Sequence, residues 1–236
     1  MLICLWSGPR NVSTALMYSF AQRTDTQVVD EPLYGHYLTV SGADHPAAYE
    51  VMDAMNCDGD AVMRDLLAKP QAAPIGFAKH MAHHLVALDE AFLAHTTNVL
   101  LIRNPQDMLP SLTIQLPHAN QKDTGLGRQL ALLQQLQRLG QTPPVLDAKL
   151  LLDNPQGVLT ILCERLGIAF DPAMLSWAPG ARPEDGVWAP HWYQNVHRST
   201  GFGSYTEKGP ISSHLRPLLD ECRPYYEQLF EHAIRG

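Results

Sequence analysis

The 236-residue sequence predicts an α/β protein, a single domain of three α/β/α layers around a central parallel sheet. Two observations support this fold class. Short apolar segments alternate with longer amphipathic ones, which is the pattern of parallel strands joined by crossover helices. Hydrophobic residues make up 45% of the chain, enough for the core of one domain of this length. We therefore expect one domain over residues 1–236, with its core in 1–175 and a C-terminal lid, loop and helix in 176–236.

Five apolar segments are predicted to be strands, and they cover residues 2–6, 27–29, 75–78, 98–102 and 145–146. Amphipathic periodicity predicts helices over residues 13–23, 46–68 with a break at 56–59, 84–95, 105–115, 126–139, 155–166 and about 212–234. Residues 179–210 are rich in Pro, Gly and Trp and show little periodicity. Such a long irregular segment inside a compact domain is usually a functional lid or binding loop.

The net charge and the N-terminal residues exclude some classes of binding partner. A formal net charge of −7 argues against general affinity for nucleic acid or anionic membranes, although a local basic pocket can still bind a small anion. The first six residues lack the pattern of a signal peptide, and no apolar run approaches the roughly 18 residues that span a bilayer. We expect a cytoplasmic protein that binds neither nucleic acid nor membrane. Four cysteines without a CxxC spacing predict neither redox nor zinc chemistry.

A polar, tightly turning loop follows the first predicted strand. Such a loop aims backbone N–H groups and a helix N-terminus at one point, where they attract an anion. Arg10 adds a positive charge, and the hydroxyl groups of Ser13 and Thr14 add donors or cap the helix. The loop lacks the Gly-Lys of a standard nucleotide P-loop, and an ordinary capped turn is the alternative interpretation. Its residues are Ser7, Gly8, Pro9, Arg10, Asn11 and Val12.

Residues 9–14 resemble the 5′-phosphosulfate loop of the sulfotransferases that use 3′-phosphoadenosine 5′-phosphosulfate (PAPS). Residues 100–112, LLIRNPQDMLPSL, are similar to the 3′-phosphate motif of that family, with Arg103 and Ser111 at its Arg and Ser positions. From their spacing, Arg103 ends a strand and Ser111 lies about two turns into the next helix, so both can face the crevice where open α/β sheets bind ligands. A salt-bridged Arg103 and a surface Ser111 are the structural alternatives.

The resemblance implies a P-loop NTPase-like fold, transfer of a sulfuryl group from PAPS to a small-molecule acceptor, and binding of the product 3′,5′-adenosine bisphosphate (PAP). No metal is required by that reaction. The resemblance assigns binding of the donor to Gly8, Pro9, Arg10, Asn11, Val12, Ser13, Thr14, Arg103 and Ser111.

Two features depart from the family pattern. Residues 145–175 share the apolar frame of a further family segment, but its usual Tyr-Glu-Asp is replaced here by Asp147, Ala148 and Lys149. Val12 stands where the family has Gly. Glycine suits a backbone that approaches phosphate closely and takes a positive φ, which a β-branched residue adopts only at a cost. Either the loop tolerates Val12, or tight binding of the donor is lost.

Sulfuryl transfer needs a base for the acceptor and positive charge near the developing oxyanions. We assign the charge to Arg10. Glu31 and His80, which end the second and third strands, are the candidate bases. The resemblance favours Glu31 slightly, because some bacterial and tyrosylprotein sulfotransferases carry a catalytic Glu there, whereas cytosolic ones carry Lys-Thr-His near His80. A helix cap for Glu31 and a packed strand end for His80 are the structural alternatives.

The spacing of His80, His83 and His84 raises the question of a metal site, but no HExxH pattern accompanies it and we expect none. In the irregular segment, a Gly-containing run lies among aromatic residues. It resembles a basic loop with which the family closes over the nucleotide, and a loop that its Trp residues merely anchor is the alternative. The run consists of Arg198, Ser199, Thr200 and Gly201.

Two other functions stay open. One is a small P-loop kinase, which requires ATP and magnesium, and the other is a non-catalytic protein that binds PAP. Residues 36–70 and the segment after residue 179 are expected to shape the acceptor pocket. The sequence predicts neither the acceptor nor the oligomeric state.

Overall fold

In the computed structural model, which describes residues 1–68 and 73–236, five strands form one parallel sheet. The strand order is β2-β3-β1-β4-β5, and every neighbouring pair is parallel. The predicted fold class is confirmed, and each predicted strand overlaps one observed strand. The strands are β1 (Leu2–Ser7), β2 (Thr26–Asp30), β3 (Ile75–Met81), β4 (Thr97–Ile102) and β5 (Val145–Asp147).

The α-helices of the described ranges lie between and after these strands. They are α1 (Ser13–Phe20), α2 (Tyr34–Ser41), α3 (Ala48–Ala54), α4 (Gly59–Ala68), α5 (Pro105–Gln115), α6 (Gln121–Thr124), α7 (Leu126–Arg138), α8 (Ala148–Asp153), α9 (Pro155–Leu166), α10 (Ala189–Trp192) and α11 (Arg216–Phe230).

Alternate side chains of β1 fill two separate cores. Ile3 and Leu5 pack with residues of α1 and α9 on one face of the sheet. Cys4 and Trp6 pack with residues of α5, α7 and α11 on the other face. A strand that is buried on both faces is apolar throughout, which explains the unbroken apolar run in the sequence. The sheet is therefore the middle of three layers.

The helix predicted at residues 84–95 is wrong. Two short 3₁₀ helices replace it, Ala82–His84 and Glu90–His95. Ala87 between them has a φ of +47°, and a right-handed helix cannot continue through a left-handed residue.

The other predicted helices are present, some with shorter bounds. Those at 105–115 and 155–166 have the predicted ends, whereas α1 ends at Phe20 and α11 covers Arg216–Phe230. The sequence did not predict α2, α6, α8 or α10. In α2 the first five residues, 34–38, are all buried, so the helix shows no polar face from which periodicity could identify it.

The topology leaves a crevice at the carboxyl ends of β1 and β4. In the sheet, β2 and β3 lie on one side of β1, and β4 and β5 lie on the other, so the strand order reverses direction next to β1. Open parallel sheets bind ligands at such a switch point. The irregular segment covers the same end of the sheet, where Trp188 and Tyr193 pack with residues of α2. Across residues 1–68 and 73–236, no helix has both the length and the hydrophobicity to cross a bilayer.

Candidate active site

A cavity of about 400 Å³ opens at the carboxyl ends of the strands. It lies where the loop after β1, the start of α5 and the irregular segment meet. Four of the predicted site residues do not line it, namely Gly8, His80, Arg198 and Thr200. The predicted residues that do line it are Pro9, Arg10, Asn11, Val12, Ser13, Thr14, Glu31, Arg103, Ser111, Ser199 and Gly201.

Contacts behind the cavity fix the loop after β1. Glycine is required at position 8 by a close approach, because a Cβ there would lie 2.6 Å from the carbonyl oxygen of Thr124. Asn11 Nδ2 donates to the carbonyl oxygen of Leu101 at 3.0 Å, and Asn11 Oδ1 accepts the N–H of Val12 at 2.8 Å. Gly8 therefore shapes the loop without facing the ligand space.

The backbone conformations of the loop favour the alternative in which the loop tolerates Val12. Val12 has a φ of −88°, which any residue adopts, so its branched side chain causes no backbone strain. The left-handed residue is Arg10, with a φ of +51°, and Glu31 at the end of β2 is left-handed too, with a φ of +40°. Strained non-glycine residues of this kind cluster at functional sites. Arg10 and Glu31, two of the three residues predicted for the chemistry, are thus among the left-handed residues of the described chain.

Arg10, Arg103 and Ser111 converge at one end of the cavity. Arg10 Nε donates to Ser111 Oγ at 2.7 Å, and Arg103 Nη1 donates to the carbonyl oxygen of Arg10 at 2.8 Å. Burial lowers the pKa of both guanidinium groups, and the charge of Arg103 lowers the pKa of Arg10 further. Arginine nevertheless keeps its charge in proteins. Two neighbouring cations therefore make this end of the cavity attractive to an anion.

The N-terminus of α1 lies at the same end. No side chain of the described residues caps this helix, and its first turn contains no acidic residue. The first N–H groups of a helix have no partner within the helix itself and carry a partial positive charge. Ser13 and Thr14 line the cavity at this point and add hydroxyl groups. Helix, hydroxyl groups and guanidinium groups thus face one space.

A second polar cluster is buried at the ends of β2 and β3. Lys79 Nζ donates to Asp30 Oδ1 at 2.8 Å, to Glu31 Oε1 at 2.7 Å and to the Tyr193 hydroxyl oxygen at 2.5 Å. The Tyr193 hydroxyl donates to Asp30 Oδ2 at 2.7 Å and accepts from Trp188 Nε1 at 3.0 Å. Tyr193 comes from the irregular segment, so that segment completes the cluster. No role was predicted for Lys79 from the sequence.

Glu31 is the member of this cluster best placed for proton transfer. It lines the cavity, and its Oε1 accepts from Lys79. In the described part of the chain, no group donates a hydrogen bond to its Oε2. Burial raises the pKa of Glu31, the charge of Lys79 opposes that rise, and the charge of Asp30 adds to it. A carboxylate with one oxygen anchored and the other open suits a general base.

His80 lies away from the cavity, which corrects its assignment as a base. Its side chain is fully buried in β3, and its ring stacks on Trp6 with the centroids 4.3 Å apart. Neither ring nitrogen has a hydrogen-bond partner in the described structure. Burial, and to a smaller extent the charge of Lys79, lowers the pKa of His80 to about 3. The packed strand-end alternative therefore describes His80, because its position in the sheet keeps it from touching a substrate.

Aromatic rings line the other end of the cavity. The ring of His84 lies between those of Tyr34 and Tyr37, with centroid separations of 5.0 Å and 4.6 Å, and His83 meets the edge of Tyr37. Burial lowers the pKa of His83 to about 3 and that of His84 well below its usual value, so both are neutral at pH 7. Within the predicted acceptor region, Tyr37 and His45 reach the cavity, and residues 69 and 70 lie outside the described residues.

The predicted Gly-containing run contributes less than expected. Arg198 is exposed and donates to Asn195, and the hydroxyl of Ser199 is engaged by Trp177 and by a carbonyl oxygen. The basic residue of the irregular segment that lines the cavity is Lys208, which the sequence analysis missed. A lysine followed by glycine, near the end of that segment, is the signal that could have identified it.

Asp147, one of the departures from the family segment, has a structural role. Its carboxylate accepts the N–H groups of Lys149 and Leu150 and so caps α8. It also accepts the hydroxyl group of Tyr226 from α11 at 3.0 Å. The altered residues therefore maintain the fold at the end of β5, outside the lining of the cavity.

Comparisons with known proteins agree with this geometry. A family model described as "Sulfotransferase domain" (Sulfotransfer_5) matches residues 1–233. Branched-chain-amino-acid aminotransferase-like protein 2 of Arabidopsis thaliana is 39% identical over 235 residues, which are 98% of this chain and 42% of that protein. Branched-chain-amino-acid aminotransferase-like protein 1 of the same plant is 41% identical over 232 residues, 97% of this chain and 41% of that protein. The chain thus spans about two fifths of the length of these relatives.

Two solved structures share the fold. A sulfotransferase domain from the curacin biosynthetic pathway has a TM-score of 0.51 and 17% identity, covering 99% of this chain and 98% of that one. A sulfotransferase from Alicyclobacillus acidocaldarius has a TM-score of 0.54 and 15% identity, covering 99% and 96%. At such low identity the likeness shows a shared fold alone.

Proposed function

This chain belongs to the sulfotransferase family, and from that membership we propose that it transfers a sulfuryl group from PAPS to a hydroxyl or amine of a small acceptor. The convergence of Arg10, Arg103 and Ser111 on one cavity is the observation that carries the proposal. Arg10 follows β1, Arg103 lies between β4 and α5, and Ser111 lies within α5. Each segment was matched separately to a phosphate motif, and a shared cavity is what one doubly anionic ligand requires.

The cations and donors of the cavity fit such a ligand. Arg10, Ser13, Thr14 and the N-terminus of α1 would hold the 5′-phosphosulfate, since they offer charge-assisted and helix-terminal hydrogen bonds. Arg103 and Ser111 would hold the 3′-phosphate, with Lys208 as a further cation of the lining. PAPS supplies the activated sulfuryl group when it is bound.

The remaining chemistry falls to Glu31 and Arg10. Glu31 Oε2 would take the proton of the acceptor as the acceptor atom bonds to sulfur. The bond between sulfur and the bridging phosphate oxygen breaks, and its electron pair stays on that oxygen as negative charge. Arg10 would stabilise this charge with its guanidinium group, as a fixed donor at the place where charge develops. Lys79 would keep Glu31 ionised and oriented through Oε1.

Binding calorimetry tests the proposal before any acceptor is known. The metal-free protein is titrated with PAP, 5′-AMP, ADP and ATP with magnesium. We expect PAP to bind at micromolar concentration and 5′-AMP at least about tenfold more weakly, since it lacks the 3′-phosphate. Arg103→Ala should weaken PAP by about tenfold or more. Arg138→Ala removes the same charge from an exposed helix end and should leave the affinity unchanged.

Each other outcome points to a different function. A preference for ATP with magnesium would favour a kinase, although the loop lacks the Gly-Lys of kinases with a P-loop. PAP binding without transfer to any acceptor in a broad screen with PAPS would favour the non-catalytic binding protein. Failure of all four nucleotides to bind would overturn the proposal.

A further inference from the structure

The buried cluster around Lys79 has a nearly complete set of hydrogen bonds. A lysine ammonium has three N–H donors, and those of Lys79 go to Asp30, Glu31 and Tyr193. Lys79 is only 1% exposed, so it has neither water nor a further donor to offer a ligand. Although it lines the cavity, Lys79 therefore acts on its neighbours and not on the transferred group.

The single hydroxyl group of Tyr193 makes three short hydrogen bonds within this cluster. Its one proton goes to Asp30 Oδ2 at 2.7 Å, and its two lone pairs accept from Lys79 and from Trp188. The ring also lies against the ammonium, with Nζ 4.7 Å from the centroid. Tyr193 thus satisfies one oxygen of Asp30 and takes one donor of Lys79. Both effects leave the ammonium placed between Asp30 and Glu31.

From this arrangement we infer that Tyr193 is a positioning residue, whose hydroxyl group divides Lys79 between the two carboxylates and so holds Glu31 Oε1 while Oε2 stays open to the acceptor. The inference rests on the proposed role of Glu31 as base. It assigns to the irregular segment a part in the chemistry beyond covering the cavity. Tyr193 itself has no bond to the reacting atoms.

Loss of the Tyr193 hydroxyl group should change how Lys79 is shared between Asp30 and Glu31. In Tyr193→Phe, Asp30 Oδ2 keeps only a long contact with the N–H of Gly186 at 3.4 Å, and Lys79 gains a free donor. Lys79 should then move towards Asp30 and away from Glu31. The pKa of Glu31 should then rise, because the charge and the hydrogen bond of Lys79 lower it and both weaken as Lys79 moves away. The Tyr193 hydroxyl oxygen lies 3.4 Å from Glu31 Oε1, so its direct contribution is only a long contact.

The charged and titratable groups that face Glu31 come from four elements. They are Asp30 on β2, Lys79 on β3, Tyr34 on α2 and Tyr193 in the irregular segment. Burial raises the pKa values of Tyr34 and Tyr193, so neither titrates between pH 4 and 9, the range about neutrality used for the test. Within that range, a shifted profile reports Glu31 and its two charged neighbours.

The test measures the carboxyl ¹³C shift of Glu31 as a function of pH in the full chain, in wild type and in Tyr193→Phe. We expect the midpoint of the Glu31 titration to rise by about one pH unit in Tyr193→Phe, the size of shift that one charged hydrogen bond produces. With PAPS and an acceptor, the acid limb of kcat/KM should move by the same amount. The KM for PAPS should stay within about twofold, since the donor end of the cavity is untouched.

Tyr18→Phe is the matched control. Its hydroxyl group also ties the irregular segment to the core, through Asp185 at 2.7 Å and 2.8 Å, but it lies outside the cluster. This variant should leave the Glu31 titration and the pH profile unchanged. Equal shifts in both variants would mean that Tyr193 only anchors the segment, and this result would overturn the inference, as would an unshifted Tyr193→Phe.

Asp30→Asn separates positioning from general damage. The negative charge of Asp30 itself raises the pKa of Glu31, so each variant is compared in its own background. With Asp30 neutral, the competing acceptor for Lys79 is gone, so Tyr193→Phe should raise the Glu31 midpoint much less in the Asp30→Asn background than in the wild-type background. An equal rise in both backgrounds contradicts the inference. If Tyr193→Phe does not fold, 3-fluorotyrosine at position 193 should shift the Glu31 midpoint and 3-fluorotyrosine at position 18 should not, because fluorine weakens the oxygen as an acceptor from Lys79 and strengthens the hydroxyl as a donor to Asp30. The NMR titration tests the role of Tyr193 even if no acceptor for the sulfuryl group is found. Calorimetry with PAP tests the proposed function separately.

Discussion

Arg10 Nε lies 2.7 Å from Ser111 Oγ, although 101 residues separate the two in the chain. This hydrogen bond joins the loop after β1 to helix α5 across the switch point of the sheet. It orients a guanidinium group whose backbone is held by Arg103. The two ends of one anionic ligand would thus be bound by a single hydrogen-bonded network of Arg10, Arg103 and Ser111.

Removal of the Ser111 hydroxyl group should weaken PAP binding. In Ser111→Ala, one donor to the ligand is lost and Arg10 loses the group that orients its Nε. We expect an affinity about tenfold to a hundredfold lower by calorimetry, since one hydrogen bond to a charged group contributes about 1.5–3 kcal/mol. Thr113→Ala on the same helix is the control, because its hydroxyl bonds to the Leu109 carbonyl oxygen and does not line the cavity. If Ser111→Ala bound PAP as tightly as Thr113→Ala, the Ser111 hydroxyl group would have no part in binding PAP or in orienting Arg10 for it.

Val12→Gly should not improve the binding of PAP. Val12 already has an ordinary backbone conformation and packs at the edge of the core beside α1. The substitution adds conformational entropy to the unfolded chain and removes that packing, so urea unfolding should show a loss of about 1–2 kcal/mol. PAP affinity should change by less than about twofold. An affinity gain of tenfold in Val12→Gly would show that the valine obstructs the loop after all.

The sequence predicted the sheet well because each strand is a short apolar run between turns. The sequence also pointed to a common position for Arg10, Arg103 and Ser111, since they lie in local motifs, and the structure brings them together. The cluster around Lys79 was not anticipated. Lys79 joins Tyr193 from 114 residues away, and no local pattern reports such a contact. His80 was misassigned because a buried stacked imidazole and a catalytic one look alike when only their place at a strand end is known.

The buried histidines should make the protein sensitive to acid. Burial lowers the pKa of His80 and His83 to about 3 in the folded state, against about 6.5 when unfolded. Between those values the unfolded chain binds protons that the folded chain does not, so stability is complete above about pH 6.5 and falls as the pH drops towards 3. Each histidine should contribute a slope of about 1 kcal/mol per pH unit. Urea unfolding at pH 7, 6 and 5 measures this.

His80→Phe tests that account and the correction of its role together. Phenylalanine keeps a ring for stacking on Trp6 and removes two unpartnered nitrogens, so the slope should fall by about one proton. His214→Gln at an exposed position is the control and should keep the wild-type slope. We expect His80→Phe to bind PAP normally and to retain transfer activity within about threefold. A loss of transfer above about a hundredfold, with intact PAP binding, would restore His80 as a catalytic candidate.

Glu31→Gln should separate the chemistry from the binding of the donor. The amide keeps the size of the side chain and a carbonyl oxygen for Lys79, but it cannot take a proton from the acceptor. We expect kcat to fall by about 10²–10⁴, the usual contribution of a general base, while PAP affinity changes by less than about twofold because Arg10 and Arg103 remain in place.

The wild-type rate should rise with pH through the pKa of Glu31, which burial raises above its usual value, and this acid limb should vanish in Glu31→Gln. Glu164→Gln makes the same change at an exposed glutamate of α9 outside the cavity lining and should leave both kcat and the limb unchanged. A rate for Glu31→Gln within about threefold of wild type would exclude Glu31 as the base, and the neutral His83 and His84 of the cavity lining would then be the groups to test.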